Sequence, residues 1–327
     1  MSVAQKFRTS FNNKYANNIL QWFPGHMGKG LKQMQQQLKN VDCIVEVHDA
    51  RIPMSGRNEL FRSTLLGVRP HLLVLNKCDL IEKDMQPVIL KALTDNGVTS
   101  DVLFTDCRTP QGSGVVDVVP AIINKVTDIY RYNRESEKSF NLLVIGVPNV
   151  GKSSLINVLR NYHTKKKKAT RVGAVAGITR SLLTKIHVCY DPPMYLLDSP
   201  GILEPQVRNI EAGFRLALCA SMQDHLVGVI NIADYLLYWL NKHGHFSYVE
   251  KMGLPGPSDD IIELLTLSAL KLQKFIKYKD MSKGGLVVQR PNIEAAAVKM
   301  LKMFRQGELG LFVLDTDFLP SAHNKPL

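Results

Sequence analysis

The run Gly146-Val147-Pro148-Asn149-Val150-Gly151-Lys152-Ser153 constrains this chain more than any other feature. It fits G-x-x-x-x-G-K-[ST], follows the apolar stretch Leu142 to Ile145, and leads into the helical pattern Ser153 to Leu159. A strand, a glycine-bounded turn and a helix in that order make a phosphate cradle. The glycines let backbone N–H groups wrap an anion, and the helix N-terminus adds a favourable dipole. Pro148, Asn149, Val150, Gly151, Lys152, Ser153 and Ser154 are therefore expected to line a nucleotide's phosphates. Lys152 is the expected catalytic cation at the β- and γ-phosphates, and the Ser153 hydroxyl an expected Mg2+ ligand.

The surroundings suit such a loop. Val41 to Val47, Leu72 to Leu75, Val102 to Phe104, Leu142 to Ile145, Thr184 to Cys189 and Tyr195 to Leu197 are strand-length apolar runs, and the first four are separated by helix-sized intervals. This predicts an α/β fold with a mostly parallel, doubly wound sheet. After about Pro205 the pattern changes. Leu216 to Val229, Ala233 to Asn241, Ile261 to Tyr278 and Ile293 to Arg305 read as helices. The expected organisation is a presequence or basic arm over 1–21, a nucleotide domain over 22–205 and a helical, RNA-binding domain over 206–327. The expected helices of that last domain carry Lys271, Lys274, Lys277, Lys299, Lys302 and Arg305, either an RNA-binding face or a solvated one.

Three further motifs specify the nucleotide. Asp198-Ser199-Pro200-Gly201 follows a strand, where Asp198 can hold the Mg2+ shell and the Gly201 N–H can sense a γ-phosphate. Thr179 lies between this motif and the phosphate loop, where a switch threonine would meet Mg2+ and the γ-phosphate; Thr170 competes for that role. Asn76-Lys77-Cys78-Asp79 supplies base identity. A carboxylate at Asp79 accepts from guanine N1–H and the 2-amino group, donors that adenine lacks in that geometry, so ATP would leave it unpaired. Lys77 would lie over the purine and Asn76 would brace the loop, while Thr105-Asp106-Cys107 stands where a backbone N–H meets guanine O6. The order is reversed from most GTPases, in which the phosphate loop precedes NKxD. Joining the old termini and opening new ones elsewhere preserves such a sheet, and close-lying termini make that tolerable.

The 327 residues suffice for two domains without disulfide or metal staples. Five scattered cysteines with no CxxC pair point to a reducing compartment. A formal net charge of +12 points to nucleic acid, with an anionic membrane surface as the second candidate. No apolar run reaches bilayer length, and Asn231 and Asp234 interrupt the longest. Met1 to Val41 holds no acidic residue, which fits a mitochondrial presequence or an RNA-binding arm.

Taken in order, these motifs resemble the circularly permuted GTPases of the ribosome biogenesis GTPase A type. The likeness extends through Trp22-Phe23-Pro24-Gly25-His26-Met27, Asp49-Ala50-Arg51-Ile52-Pro53 and Asp234-Tyr235-Leu236-Leu237. Its mitochondrial members imply a matrix GTPase that binds the large ribosomal subunit and its rRNA during assembly and supports mitochondrial translation. They also imply peripheral association with the inner membrane. Where many GTPases carry a water-orienting glutamine this chain has Ile202, and the family's catalytic histidine maps to His26. His26 either positions that water or merely packs the N-terminal arm. Asn149 is similar to the loop asparagine beside which some GTPases hold K+. The Lys165 to Lys168 run with Arg171, before Thr179, is either solvated surface or an rRNA contact. A GTP-gated tether with incidental hydrolysis is the rival to the assembly role.

Overall fold

Parallel strands covered on both faces favour apolar runs, and three largely apolar strands form the centre of one sheet. The computed structural model describes residues 7–11, 32, 34–65, 69–98, 101–110, 114–127, 131, 134, 136–164, 185–199, 201–202, 209–280 and 286–320. Cys43–Asp49 (β1), His71–Asn76 (β2) and Phe140–Ile145 (β4) are buried almost throughout and pair in parallel. Asp101–Thr105 (β3) and Lys185–Tyr190 (β5), at the edges, are only partly buried. Pro193–Asp198 (β6) completes the order β3-β2-β1-β4-β6-β5, in which only β5 and β6 pair antiparallel. Glu59–Thr64 (α1), Met85–Asp95 (α2), Val118–Thr127 (α3) and Lys152–Thr164 (α4) connect the strands. Helix α2 buries Ile89, Ala92 and Leu93, and α3 buries Val118, Val119, Ile122 and Val126. A fully buried aliphatic side chain of this size contributes about 1.5–3 kcal/mol. The mostly parallel six-stranded sheet is the one expected.

The chain divides into two compact units. Among the described residues, the α/β unit runs to Gln223 and regains residues 311–320, while the second unit takes 7–11 and 224–310. The expected boundary near 205 is thus displaced. Ile210–Leu218 (α5) belongs to the α/β unit because Arg215 on it pairs with Asp315 and Asp317.

The second unit contains Asp224–Val227 (α6), Val229–Lys242 (α7), Ser247–Met252 (α8), Ile261–Lys271 (α9) and Ile293–Arg305 (α10). Its core includes Leu236, Leu240, Leu264, Leu265, Met300 and Leu301. It is not wholly helical. The helix expected over Ile261 to Tyr278 stops at Lys271, where Gln273 turns left-handed (φ +51) and Lys274 N bonds back to Ala269 O (2.9 Å). Phe275–Asp280 (β7) then pairs antiparallel with Leu286–Pro291 (β8). Of the basic residues expected along helices, Lys277 therefore lies on a strand. Arg305 is engaged by Asp224 (2.6 and 2.8 Å).

Residues 7–11 also belong to this unit. Arg8 pairs with Asp234 (2.8 Å) and Asp259 (3.0 Å), and the Phe11 ring meets Tyr235 edge-on. Asp234 of the Asp234-Tyr235-Leu236-Leu237 motif thus anchors the N-terminal segment.

Candidate active site

Between the end of β4 and the start of α4, residues 146–151 reverse the chain, and one position shows what that turn requires. Gly151 has φ +102, and a Cβ there would stand 2.2 Å from Asn76 Nδ2. The close approach positions a bond: Asn76 Nδ2 donates to Val150 O at 2.8 Å, while Asn76 Oδ1 accepts from Thr105 Oγ1 at 3.2 Å. One buried amide therefore joins the ends of β2 and β3 to the phosphate loop.

Lys77 adds a second bridge. In left-handed conformation (φ +62), it sends Nζ to Asn149 O (2.8 Å) and to Asp49 Oδ2 (2.9 Å). Burial works to raise the pKa of Asp49, but the charges of Arg51 and Lys77 outweigh it and hold the carboxyl well below the usual range. Arg51 grips Asp49 through two guanidinium nitrogens at 2.9 and 2.8 Å. Asp49-Ala50-Arg51 is thus a buried brace beneath the loop that carries Lys77.

Asp79 stands in the turn Cys78–Leu80. Its Oδ1 is buried without a hydrogen-bond partner among the described residues, and Oδ2 faces Arg108 at 3.5 Å. Burial first, and then neighbouring Asp106, push its pKa up, against the opposing charge of Arg108. An acceptor kept unpaired is costly unless a ligand completes it. Asp106 is spent differently. It accepts from Arg108 N (2.7 Å), Thr109 N (3.2 Å) and the Thr109 hydroxyl, and so shapes the loop after Thr105. Burial and the same carboxylates push the thiols of Cys78 and Cys107 up to about 11 and about 12, which keeps them neutral.

On the phosphate side, Lys152 is buried and its Nζ donates to Gly146 O (3.1 Å) and Val147 O (2.9 Å). Ser153 and Ser154 follow, half-buried, in the first turn of α4. Asp198 ends β6 in register with Val144, beside the strand that feeds the loop. A Cβ at Gly201 would lie 2.6 Å from Pro148 Cα, so glycine lets this turn rest on the phosphate loop. Ile202 N donates to Gly146 O (3.3 Å), and its side chain is fully buried. Asn149 is left-handed (φ +60) and donates its amide to Ala220 O (3.4 Å). His26, Thr179, Thr170, Lys165 to Lys168 and Arg171 lie outside the described residues.

The sequence reading missed a strap. Leu311 to Leu319 returns to this site, with Phe312 N donating to Leu80 O (3.1 Å) and Leu314 N to Arg51 O (2.8 Å). The fully buried Asp315 accepts from Met54 N (2.7 Å) and Ser55 N (2.8 Å), and Arg215 pairs with it at 3.1 Å. Val313 and Leu319 join Ala50, Leu75 and Ile81 in one core. The only signal was the short apolar run Leu311 to Leu314, which by itself has no assigned partner.

A sequence profile of the family described as "50S ribosome-binding GTPase" matches residues 141–253. The guanine-type loop at 76–79 lies upstream of that match, as a permuted order requires. "Mitochondrial GTPase 1" of Aedes aegypti is 50% identical over 96% of this chain and 99% of its own length. "Mitochondrial ribosome-associated GTPase 1" of Ictalurus punctatus is 49% identical over 96% and 98%. Solved GDP-bound and GNP-bound structures of YlqF, the latter from T. maritima, each superpose with a TM-score of 0.53 at 20% identity. They cover 85% and 86% of this chain, and 96% and 95% of their own, and they bear on the fold. With half its residues identical to such a relative over nearly the full length, the chain belongs to the mitochondrial GTPase 1 family of circularly permuted GTPases and hydrolyses GTP.

Proposed function

We propose that this GTPase is a nucleotide-dependent checkpoint in assembly of the mitochondrial large ribosomal subunit, acting in the matrix. The observation that carries the reading is the Asn76 bridge, which makes the loop bearing Asp79 and the loop bearing Lys152 one site. The ribosomal and mitochondrial parts draw on relatives named mitochondrial ribosome-associated GTPase 1 and on the +12 charge, which suits RNA. Among the described residues no helix is long and apolar enough to cross a membrane.

In this reading Asp79 accepts two hydrogen bonds from guanine, Lys77 covers the base, and the Thr105-Asp106-Cys107 loop offers a backbone N–H to O6. Lys152 and the N–H groups of Pro148 to Ser154 bind the phosphates, and Thr179 and Gly201 sense the γ-phosphate. GTPases of this fold use Mg2+ with GTP. The donor set fits it, because Ser153, Thr179 and Asp198 offer the hard oxygens that ion requires. Ser153 and Asp198 also follow neighbouring parallel strands. Ser153, Thr179 and Asp198 would hold Mg2+, which would supply positive charge against that developing on the phosphates.

Ile202 is apolar and buried, so the position after the DxxG glycine offers nothing to the attacking water. We assign that task to His26 as a neutral imidazole. Changing His26 to Ala should lower kcat while leaving GTP affinity intact, and an unchanged kcat would remove the assignment. K+ beside Asn149 is a second aid, which equal rates in Na+ and K+ buffers would exclude. The Lys165 to Lys168 run and Arg171 contact rRNA and transmit its presence to Thr179.

The deciding experiment measures GTP turnover by the purified protein in K+ buffer, with and without mitochondrial large subunits. Strong stimulation by the particle supports the checkpoint. Absent stimulation with intact GTP binding overturns it.

A further inference from the structure

A two-stranded ribbon in a folded protein ordinarily buries one face, since an isolated hairpin is at best marginally stable in water. Among the described residues of the β7–β8 hairpin, neither face is closed. Register places Phe275 and Lys277 with Gln289 and Val287 on one face, and Ile276 and Tyr278 with Arg290 and Val288 on the other. Phe275 is 45% exposed, Ile276 43%, Tyr278 38% and Val287 60%, so large apolar groups face solvent on both sides. The base of the hairpin is fixed, because Asn292 N donates to Lys274 O (2.9 Å) and Asn292 caps α10 through Ala295 N (3.0 Å). A firmly rooted ribbon with two open apolar faces is built to meet something.

Charge identifies what it meets. Residues 271–305 hold nine lysines and arginines (271, 274, 277, 279, 283, 290, 299, 302 and 305) against two acids, Asp280 and Glu294. Residues 224–270 of the same unit hold two basic residues, Lys242 and Lys251, against six acids (224, 234, 250, 259, 260 and 263). The positive charge of residues 224–305 is therefore concentrated in the stretch of sequence that holds the hairpin. Lys271, Lys274 and Lys277 are exposed and form no ion pair among the described residues. The Arg290 guanidinium lies 4.9 Å from the Tyr278 ring centroid, a cation and an aromatic plane presented together.

We propose that the β7–β8 hairpin docks an unpaired loop of ribosomal RNA, which rests on the ribosomal reading above. The loop straddles the ribbon's edge, one base stacking on Phe275 on one face and another beside the Tyr278–Arg290 pair on the other, while Lys271, Lys274, Lys277 and Arg290 neutralise phosphates. Nine cations against two acids favour a polyanion, and exposed rings beside cations suit its bases. A duplex fits poorly, because the A-form major groove is too deep and narrow for side chains to read. Unpaired bases stack on aromatic and guanidinium planes whatever their sequence.

The test uses the full-length protein and fluorescence anisotropy with two labelled RNAs, a stem-loop from the large-subunit rRNA and a blunt duplex of equal length. The stem-loop should bind more tightly. The double variant Phe275→Ala/Tyr278→Ala should lose about thirty-fold or more in stem-loop affinity with its salt dependence unchanged. Lys277→Gln/Arg290→Gln should bind more weakly and flatten the log–log salt slope by roughly 1.4. GTP affinity should stay at the wild-type value in both, showing that the variants fold. Wild-type protein that ignores the stem-loop, or variants that bind it normally, would overturn the proposal. Variants that keep RNA affinity yet lose large subunits would also overturn it, and would make the hairpin a protein-docking surface. If instead the RNA effects appear but wild-type protein fails to bind subunits, the hairpin assignment stands and the ribosomal reading falls.

Discussion

In the α/β unit Asp49, Arg51, Arg215 and Asp315 are buried and paired, whereas in the second unit Arg8, Asp234, Asp259, Arg305 and Asp224 pair where water still reaches them. Removing charges from water costs about as much as, or more than, their attraction returns, so buried pairs are a poor source of stability. Their location gives the better explanation. Asp49 holds Lys77 within the loop 76–79, and Asp315 holds Met54 and Ser55 in the segment that follows Arg51. Glu46 repeats the theme in β1. Burial raises its pKa, but His48 and His71 outweigh this and hold it below the usual carboxylate range. The second unit instead rests on an apolar core and presents its charge outward on the hairpin. One unit uses charge to fix geometry, and the other to meet a partner.

The largest expected effect sharpens the first half of that contrast. Asp79→Ala should weaken GTP binding about a thousand-fold or more and leave ATP binding unchanged, read by isothermal titration calorimetry. Parallel losses for both nucleotides would show that Asp79 holds the loop rather than reads the base. Next in size, Asp49→Ala leaves Arg51 buried without its principal partner. It should destabilise the α/β unit by about 3–5 kcal/mol in denaturant unfolding. A cost below about 1 kcal/mol would break the argument that this pair is a buried brace.

By contrast, Arg8→Ala removes two partly open pairs, each worth about 0.2–1 kcal/mol, and should cost the second unit less than about 2 kcal/mol. A loss as large as that of Asp49→Ala would erase the distinction between the units. The smallest effect concerns pH. In the proposed site guanine meets the Asp79 carboxylate, whose pKa is raised first by burial and then by Asp106. Affinity should therefore be flat above that pKa and fall about tenfold per unit below it, starting at a higher pH than an ordinary aspartate would give. Asp106→Asn should move the onset to lower pH, and an unmoved profile would refute the coupling.

Much of the site was legible because nucleotide chemistry acts locally. Phosphate needs glycine backbone and a helix start, so Gly146 to Ser153 announces itself, and Asn76 to Asp79 stands where strand β2 ends. What stayed hidden depends on distant contacts. The pattern Phe275-Ile276-Lys277-Tyr278 suits a helix face or an alternating strand, and the left-handed Gln273 decided between them. Arg8 read as one more cation of a basic arm until Asp234 and Asp259 came beside it. Leu311 to Leu314 gave no hint that its partners were Leu80 and Arg51, more than two hundred residues earlier.

The most direct test of the checkpoint is co-sedimentation of the purified protein with mitochondrial large subunits, in a non-hydrolysable GTP analogue and in GDP. The account predicts firm association with the analogue and release in GDP. Equal association in both states would contradict it, because hydrolysis would then change nothing at the ribosome.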